Sequence, residues 1–311
     1  MQIDLQRMPI IAFSAGLLAA ATAIAEFSGI RIDYASWAPL AQVLLGLIFG
    51  WLYAGWRQMP AVQIATEYVF AASLISIAIL FYSYATARPA LPLADPWLAH
   101  ADVLLGFHVP SVVAWIDRSA ILSWVFEITY HSMAVQLFTI PILLALTGKQ
   151  DAGNRMLLCY ALICVIACTI SIYFPSIEAF AHYGIRASDL KNLSGAFGYH
   201  FHTTFFAARN DEIFTLSLGM TSGIISFPSI HAALAILCGY ATWPIRLLRY
   251  PGLVWNAFMF AATVPVGAHY GVEVVAGAGL ACVVIWAVRA FPMPAFQWPL
   301  PASVRPQGYR T

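Results

Sequence analysis

Long stretches of this sequence carry almost no charge, and that constrains the fold more than anything else in it. Between Pro9 and Phe27 the one charged side chain is Glu26. Comparable apolar runs follow at about 37–56, 62–86, 120–146, 156–174, 229–247, 253–267 and 270–291. A bilayer needs about 20 apolar residues per helix, and helices serve because they satisfy their own backbone polar groups. Of the 311 residues, 61% are hydrophobic and 9% are charged. Soluble domains carry roughly 25% charged residues. The pattern predicts an all-α, polytopic membrane bundle of about eight transmembrane helices. The first run follows Arg7 and resembles a signal peptide. Its 19 residues exceed a signal peptide's apolar core of roughly 7–15, so a retained span is expected.

The runs divide the chain into 1–86, with the N-terminal transmembrane helices; 87–118, interfacial; 119–291, a helix bundle carrying the candidate chemistry; and 292–311, a Pro-rich tail expected to be disordered. The 87–118 segment is too interrupted by Pro and Asp to cross a bilayer and suits short interfacial or re-entrant helices. Eight spans place both termini on one side. That side collects nine Lys and Arg, namely Arg7, Arg57, Lys149, Arg155, Arg246, Arg249, Arg289, Arg305 and Arg310, and the other side six. The positive-inside rule then makes the termini cytoplasmic. A net charge of +1 and no basic tail argue against nucleic acid as a partner. All five cysteines lie within apolar runs, as small buried side chains do.

Two histidines stand where apolar helices begin. GIISFPSIHAALAILCGY, from Gly223, places Pro228–Ser229–Ile230–His231 at a helix mouth. Pro228 interrupts a continuous helix, and Ser229 suits an N-cap. GAHYGVEVVAGAG, from Gly267, places His269 and Glu273 four residues apart on one helix face. A carboxylate at that spacing can hold one ring nitrogen and orient the other, as in nucleophile–base–orienter sets. Free N–H groups at two neighbouring helix ends would suit a phosphate. With an even number of spans between them, both histidines open on the same, outer side. His231 is then placed as a general acid and Ser229 as a phosphate ligand. His131 and Glu127 also share a face, within a span, for a packing hydrogen bond or a place in the site lining. No cluster has the spacing of a metal site, and no cofactor is expected.

FPSIHAA followed by AHYGVEVVAG resembles the second and third motifs of the type 2 phosphatidic acid phosphatase superfamily. It is most similar to the branch of aureobasidin-resistance proteins and inositol phosphorylceramide synthases. The resemblance covers about 206–280, and the spaced aspartates of 93–105 add to it. It implies that six of the helices form a phosphatase-like core and that 119–291 is the catalytic bundle. It also implies that His269 is the nucleophile forming a phosphohistidine, that Glu273 orients it, that His231 protonates the leaving oxygen and that Ser229 binds phosphate. The sequence departs from the family pattern at Ile230, where Gly is usual; at Glu273, where Asp is usual; and at Thr263, where an Arg is common. The family's K-x6-R-P motif is absent. Its nearest counterpart is His202 with Arg209, which would share a helix face and supply the phosphate-binding groups.

The resemblance leads to the expectation of an integral inner-membrane lipid phosphatase or lipid headgroup phosphotransferase, with its site facing the periplasm or cell exterior. Its partner is a membrane lipid carrying a phosphate ester or phosphodiester. The alternative is a non-catalytic membrane scaffold or lipid-binding protein that retains the fold, which the missing cations favour.

Overall fold

The computed structural model describes residues 9–195, 202–220 and 223–290. Helices α1 (Pro9–Phe27), α2 (Tyr34–Trp56) and α3 (Pro60–Ala87) come first. Two short helices follow, α4 (Asp95–Leu104) and α5 (Val109–Asp117), bent by 79° at the break between them. Then come α6 (Ala120–Leu146), α7 (Gln150–Ser171), the single-turn α8 (Ala179–Tyr183) and α9 (His202–Asn210). The last three are α10 (Ile230–Thr242), α11 (Arg249–Ala262) and α12 (Gly271–Ala290). The chain is not wholly helical. Strands β1 (Ile30–Ile32) and β2 (Phe214–Leu216) form a two-stranded parallel ribbon in which Arg31 lies opposite Thr215. The expected tail at 292–311, His200 and the counted Arg7, Arg305 and Arg310 lie outside the described residues.

Among the described residues, six helices are long and apolar enough to cross a membrane: α1, α2, α3, α6, α7 and α12. The bent pair α4–α5 brings the number to seven if it is one broken span. The spans expected at 229–247 and 253–267 form α10 and α11, of 13 and 14 residues. At 1.5 Å per residue each is roughly 20 Å long, short of a hydrocarbon layer of about 30 Å. Proline sets these lengths. Pro244 follows the end of α10 and Pro265 the end of α11, and neither can continue a helix ladder.

A membrane accounts for what α2 exposes. Phe49 is 69% and Leu45 53% exposed, and Leu52 and Trp56 lie outward with them. Leaving a side chain of that size in water forgoes about 1.5–3 kcal/mol, so such a helix face belongs against lipid. Inside, α3, α6, α7, α10 and α12 share one apolar core around Ile75, Leu144, Ile163, Leu234 and Ala281. A second core joins α4 and α5 to α6 and α12 around Leu98, Val109, Tyr130 and Tyr270.

Two features fix the histidine-bearing part of the bundle to its surroundings. Arg88, just past α3, donates to the carbonyls of Ser28 at 2.7 Å, Ala208 at 2.9 Å and Glu212 at 2.9 Å, and to that of Asp211. One guanidinium thereby ties the ends of α1 and α9 together. Further in, α12 comes so close to the start of α10 that a Cβ on Gly277 would collide with the Ser229 carbonyl. The Ser229 N–H also donates to the Glu273 carbonyl at 3.1 Å, which fixes the same approach.

Gly277→Ala is therefore expected to lower the thermal midpoint in detergent, by an overpacking cost of about 1–3 kcal/mol. Gly279→Ala, on the same helix with open space around its Cβ, should leave the midpoint unchanged. Equal midpoints for the two variants would mean that α12 moves freely off α10.

Candidate active site

The start of α12 brings together His269, just before the helix, and Glu273 in its first turn. His269 Nδ1 lies 2.7 Å from Glu273 Oε2, and both side chains are buried, at 5% and 0% exposure. Ser226 Oγ donates to the two carboxylate oxygens at 2.8 and 2.9 Å, and the Tyr270 N–H donates to Oε2 at 3.2 Å. A carboxylate with that many donors acts as an acceptor toward the ring, so Nδ1 carries the proton. The lone pair is then on Nε2. Three donors also make a buried carboxylate tolerable. The extra methylene of Glu273 is accommodated by the i to i+4 spacing, which brings the carboxylate back onto His269.

Helix α10 supplies the second imidazole. Ser229 is its N-cap, with Oγ accepting from the Ala232 N–H at 3.3 Å, and the residue is fully buried. His231 stacks on Tyr130 of α6, with ring centroids 4.1 Å apart and planes within 9°. The Tyr130 hydroxyl lies 3.3 Å from His231 Nδ1, which fixes the ring and leaves Nε2 as the second nitrogen.

Both histidines line one cavity of about 560 Å³. Tyr130, His131 and Glu178 join them at its polar end. The rest of its wall is mainly apolar, built from α2, α3, α6, α7 and α10, with Leu80, Leu137, Phe138 and Leu234 among the lining side chains. A cavity of this size and polarity suits a small ligand with one polar end. His131 belongs to the lining, whereas Glu127 turns away and accepts from the Ser194 N–H at 2.6 Å.

The helix ends differ from the sequence-based expectation. The start of α12 is not open to an anion, because Asp102 of α4 accepts from the Gly271 and Val272 N–H groups at 2.9 and 2.7 Å. A carboxylate of the chain itself takes the place that a phosphate was expected to fill, as the helix dipole favours. At α10 the Ser229 hydroxyl takes the Ala232 N–H. The phosphate-binding pair expected upstream does not reach the cavity either. His202 Nε2 lies 2.8 Å from the Ile177 carbonyl, and Arg209 donates to the Leu91 carbonyl and lies over the Phe205 ring. Thr263, fully buried, bonds back to the Phe260 carbonyl at 2.6 Å. Among the described residues, no Lys or Arg lines the cavity.

The structure adds three residues that sequence spacing did not single out as partners: Tyr130, Ser226 and Glu178. Asp95 supports them from α4, accepting from Ser176 Oγ at 2.9 Å, Tyr270 OH at 3.1 Å and the Ile177 N–H. Ser226 lies three residues before Ser229 and Glu178 directly follows a Phe-Pro-Ser-Ile run, whereas no short-range pattern marks Tyr130.

Comparison with known proteins gives one match. A family model described as the PAP2 superfamily matches residues 96–287, more than half of the chain. No curated protein matches the chain, and no solved structure does.

The geometry makes a spectroscopic prediction. In ¹⁵N-histidine-labelled protein, neutral His269 should carry its proton on Nδ1, and Glu273→Ala should shift the tautomer toward Nε2. A wild-type His269 protonated on Nε2 would break the orienting role of Glu273.

Proposed function

Because this chain belongs to the PAP2 superfamily, we propose that it is an integral-membrane enzyme that transfers the phosphoryl group of a lipid phosphate ester through His269. The observation that carries this reading is the Ser226–Glu273–His269 relay facing the same cavity as His231. The mainly apolar wall of that cavity supports a lipid as the substrate.

In the first step the Nε2 lone pair of His269 attacks phosphorus. The N–P bond forms, the P–O bond to the lipid alcohol breaks, and His231 gives its proton to the departing oxygen. Glu273 holds the Nδ1 proton and stabilises the cationic ring. In the second step water or an alcohol attacks phosphorus, its proton passes to His231, and the P–N bond breaks. Water gives hydrolysis and an alcohol gives headgroup transfer. Hydrolysis is the leading reading because it needs no second specific pocket. The FPS-x-HA and HY-x-x-E patterns support a place near the aureobasidin-resistance and inositol phosphorylceramide synthase branch. Ser229 serves the site by seating His231 and offering its hydroxyl proton to phosphate. His202 serves it through the Ile177 carbonyl, next to Glu178. Arg209 is assigned to phosphate only if the headgroup extends beyond the cavity.

The absence of Lys and Arg from the cavity lining favours a second reading, a lipid-binding protein without turnover. Purified protein in detergent, given a panel of lipid phosphates and phosphodiesters, separates the two. Phosphate release or headgroup exchange is expected, and no turnover of any substrate selects the second reading. His269→Ala should abolish both reactions. His231→Ala should cost roughly 10²–10⁴-fold with alkyl esters and much less with an aryl ester, whose leaving group needs no proton. Equal losses with both would remove His231 as the acid.

The site is assigned to the extracytoplasmic face. Helix α12 runs from the histidine end to Arg289, which lines a separate cavity with Arg155 and Trp243 at the opposite end of the bundle. That basic end fits the cytoplasmic side. A membrane-impermeant thiol reagent should label Ser188→Cys in intact cells and spare Gln150→Cys. The reverse pattern would place the site in the cytoplasm.

A further inference from the structure

The four residues Phe-Pro-Ser-Ile occur twice, at 174–177 and at 227–230. The second copy leads into His231. The first leads into Glu178. The two turns lie side by side, with the Phe174 and Phe227 rings 5.2 Å apart and Trp97 packed against both. The segments that follow are also adjacent, since the Ala179 N–H donates to the Ala268 carbonyl at 2.8 Å, one residue before His269. The paired turns thus bring Glu178 and His231 to one cavity, beside His269.

Glu178 is held there against its own preferences. Its backbone sits at φ 75° and ψ 155°, a region that residues with a side chain avoid. Ala268, across the hydrogen bond, also has a positive φ, of 56°. The turn is pinned on both sides, by Ser176 Oγ accepting the Glu178 N–H at 3.2 Å and by the His182 N–H on the Glu178 carbonyl at 3.3 Å. The residue is 8% exposed, and its enclosed Oε2 has no hydrogen-bond partner among the described residues. A carboxyl serving the fold would have its donors, as Asp95, Asp102 and Asp117 do. Strain together with an orphaned polar atom at a cavity points to function.

We propose that Glu178 is a further catalytic residue, an acid that donates its proton in a hydrogen bond to a non-bridging oxygen of the phosphate held between His231 and His269. This rests on the phosphoryl-transfer reading above. Burial, with Glu273 and Asp95 close by, holds the Glu178 carboxyl well above the usual carboxylate range. The titratable groups around it are Glu273 and His269 beside α12, His231 on α10, Tyr130 and His131 on α6, and Asp95 on α4. A carboxylate would repel a phosphate, whereas the neutral acid offers it a donor in a cavity without fixed cations. The sign follows. With its pKa raised, the acid holds its proton through neutral pH, and the donor is lost as pH rises through that value.

The test uses the full-length protein and the variants Glu178→Gln and Glu178→Gly, with an aryl phosphate ester so that the leaving group needs no proton from His231. Wild-type turnover should fall at alkaline pH. Glu178→Gln keeps a donor and should stay within a few-fold of wild type while losing that alkaline limb. Glu178→Gly should lose on the order of 10²-fold in turnover, as for other oxyanion donors, yet match or exceed the wild-type thermal midpoint, since Gly accepts this backbone. Wild-type turnover in Glu178→Gly, or an unchanged alkaline limb in Glu178→Gln, would overturn the assignment and leave the general function standing. Orthovanadate, a phosphate mimic, gives a readout independent of turnover. It should raise the thermal midpoint of wild type and not of Glu178→Gly. Equal stabilisation overturns the role of Glu178, and no stabilisation of wild type overturns both this role and the reading it rests on.

Discussion

Backbone N–H groups that lack a partner inside a membrane protein are costly, and this bundle depends on three aspartates that supply one. All three come from the short segment between α3 and α6. Asp95 holds the Ile177 N–H, Asp102 holds those of Gly271 and Val272, and Asp117 holds those of Lys191, Asn192 and Leu193 at 2.8–2.9 Å. Each contact ties a different part of the later chain, two loops and the start of α12, to one platform. Asp102 in particular decides where α12 begins, and so where His269 stands relative to Glu273. The carboxylate it places on the helix end also fills a spot where an anionic ligand would otherwise bind unproductively.

The arrangement of charge follows from that frame. Glu273 sits behind the His269 ring, bonded by Ser226 and Tyr270, so its charge acts through the imidazole rather than on the ligand. Tyr130 fixes His231 from the opposite side by stacking and a hydrogen bond. The two imidazoles that line the cavity are thus set by neutral or fully bonded partners.

Local spacing made part of this legible. His269 and Glu273 are one helical turn apart, and Pro228–Ser229 announces a helix start, so both could be read from a few residues. Hydropathy located the long helices for the same reason. At α10 and α11, expected as spans, the helices are 13 and 14 residues long and prolines follow them. What stayed hidden depends on partners far away in sequence: Asp102 and Gly271 are 169 residues apart, Tyr130 and His231 are 101, and Ser226 and Glu273 are 47. The β1–β2 ribbon joins three-residue strands nearly two hundred residues apart, too short for any period to register. Arg209 shows the converse. Helical spacing placed it with His202 on one face, but a guanidinium is long enough to turn to a backbone carbonyl, and this one does.

The cavity wall crosses the boundary of the family match. Residues 96–287 carry the imidazoles and their supports, yet Trp37 and Leu40 of α2 and Ser76 to Leu80 of α3 close the apolar side. The first helices therefore share in shaping a cavity whose imidazoles lie in another stretch of chain. Substitutions along their inward edges can reshape that cavity without touching either imidazole. The Arg88 tie, the ribbon, helix packing and hydrogen bonds such as Ser76 to Tyr160 and Trp37 to the Leu216 carbonyl hold the two stretches in register.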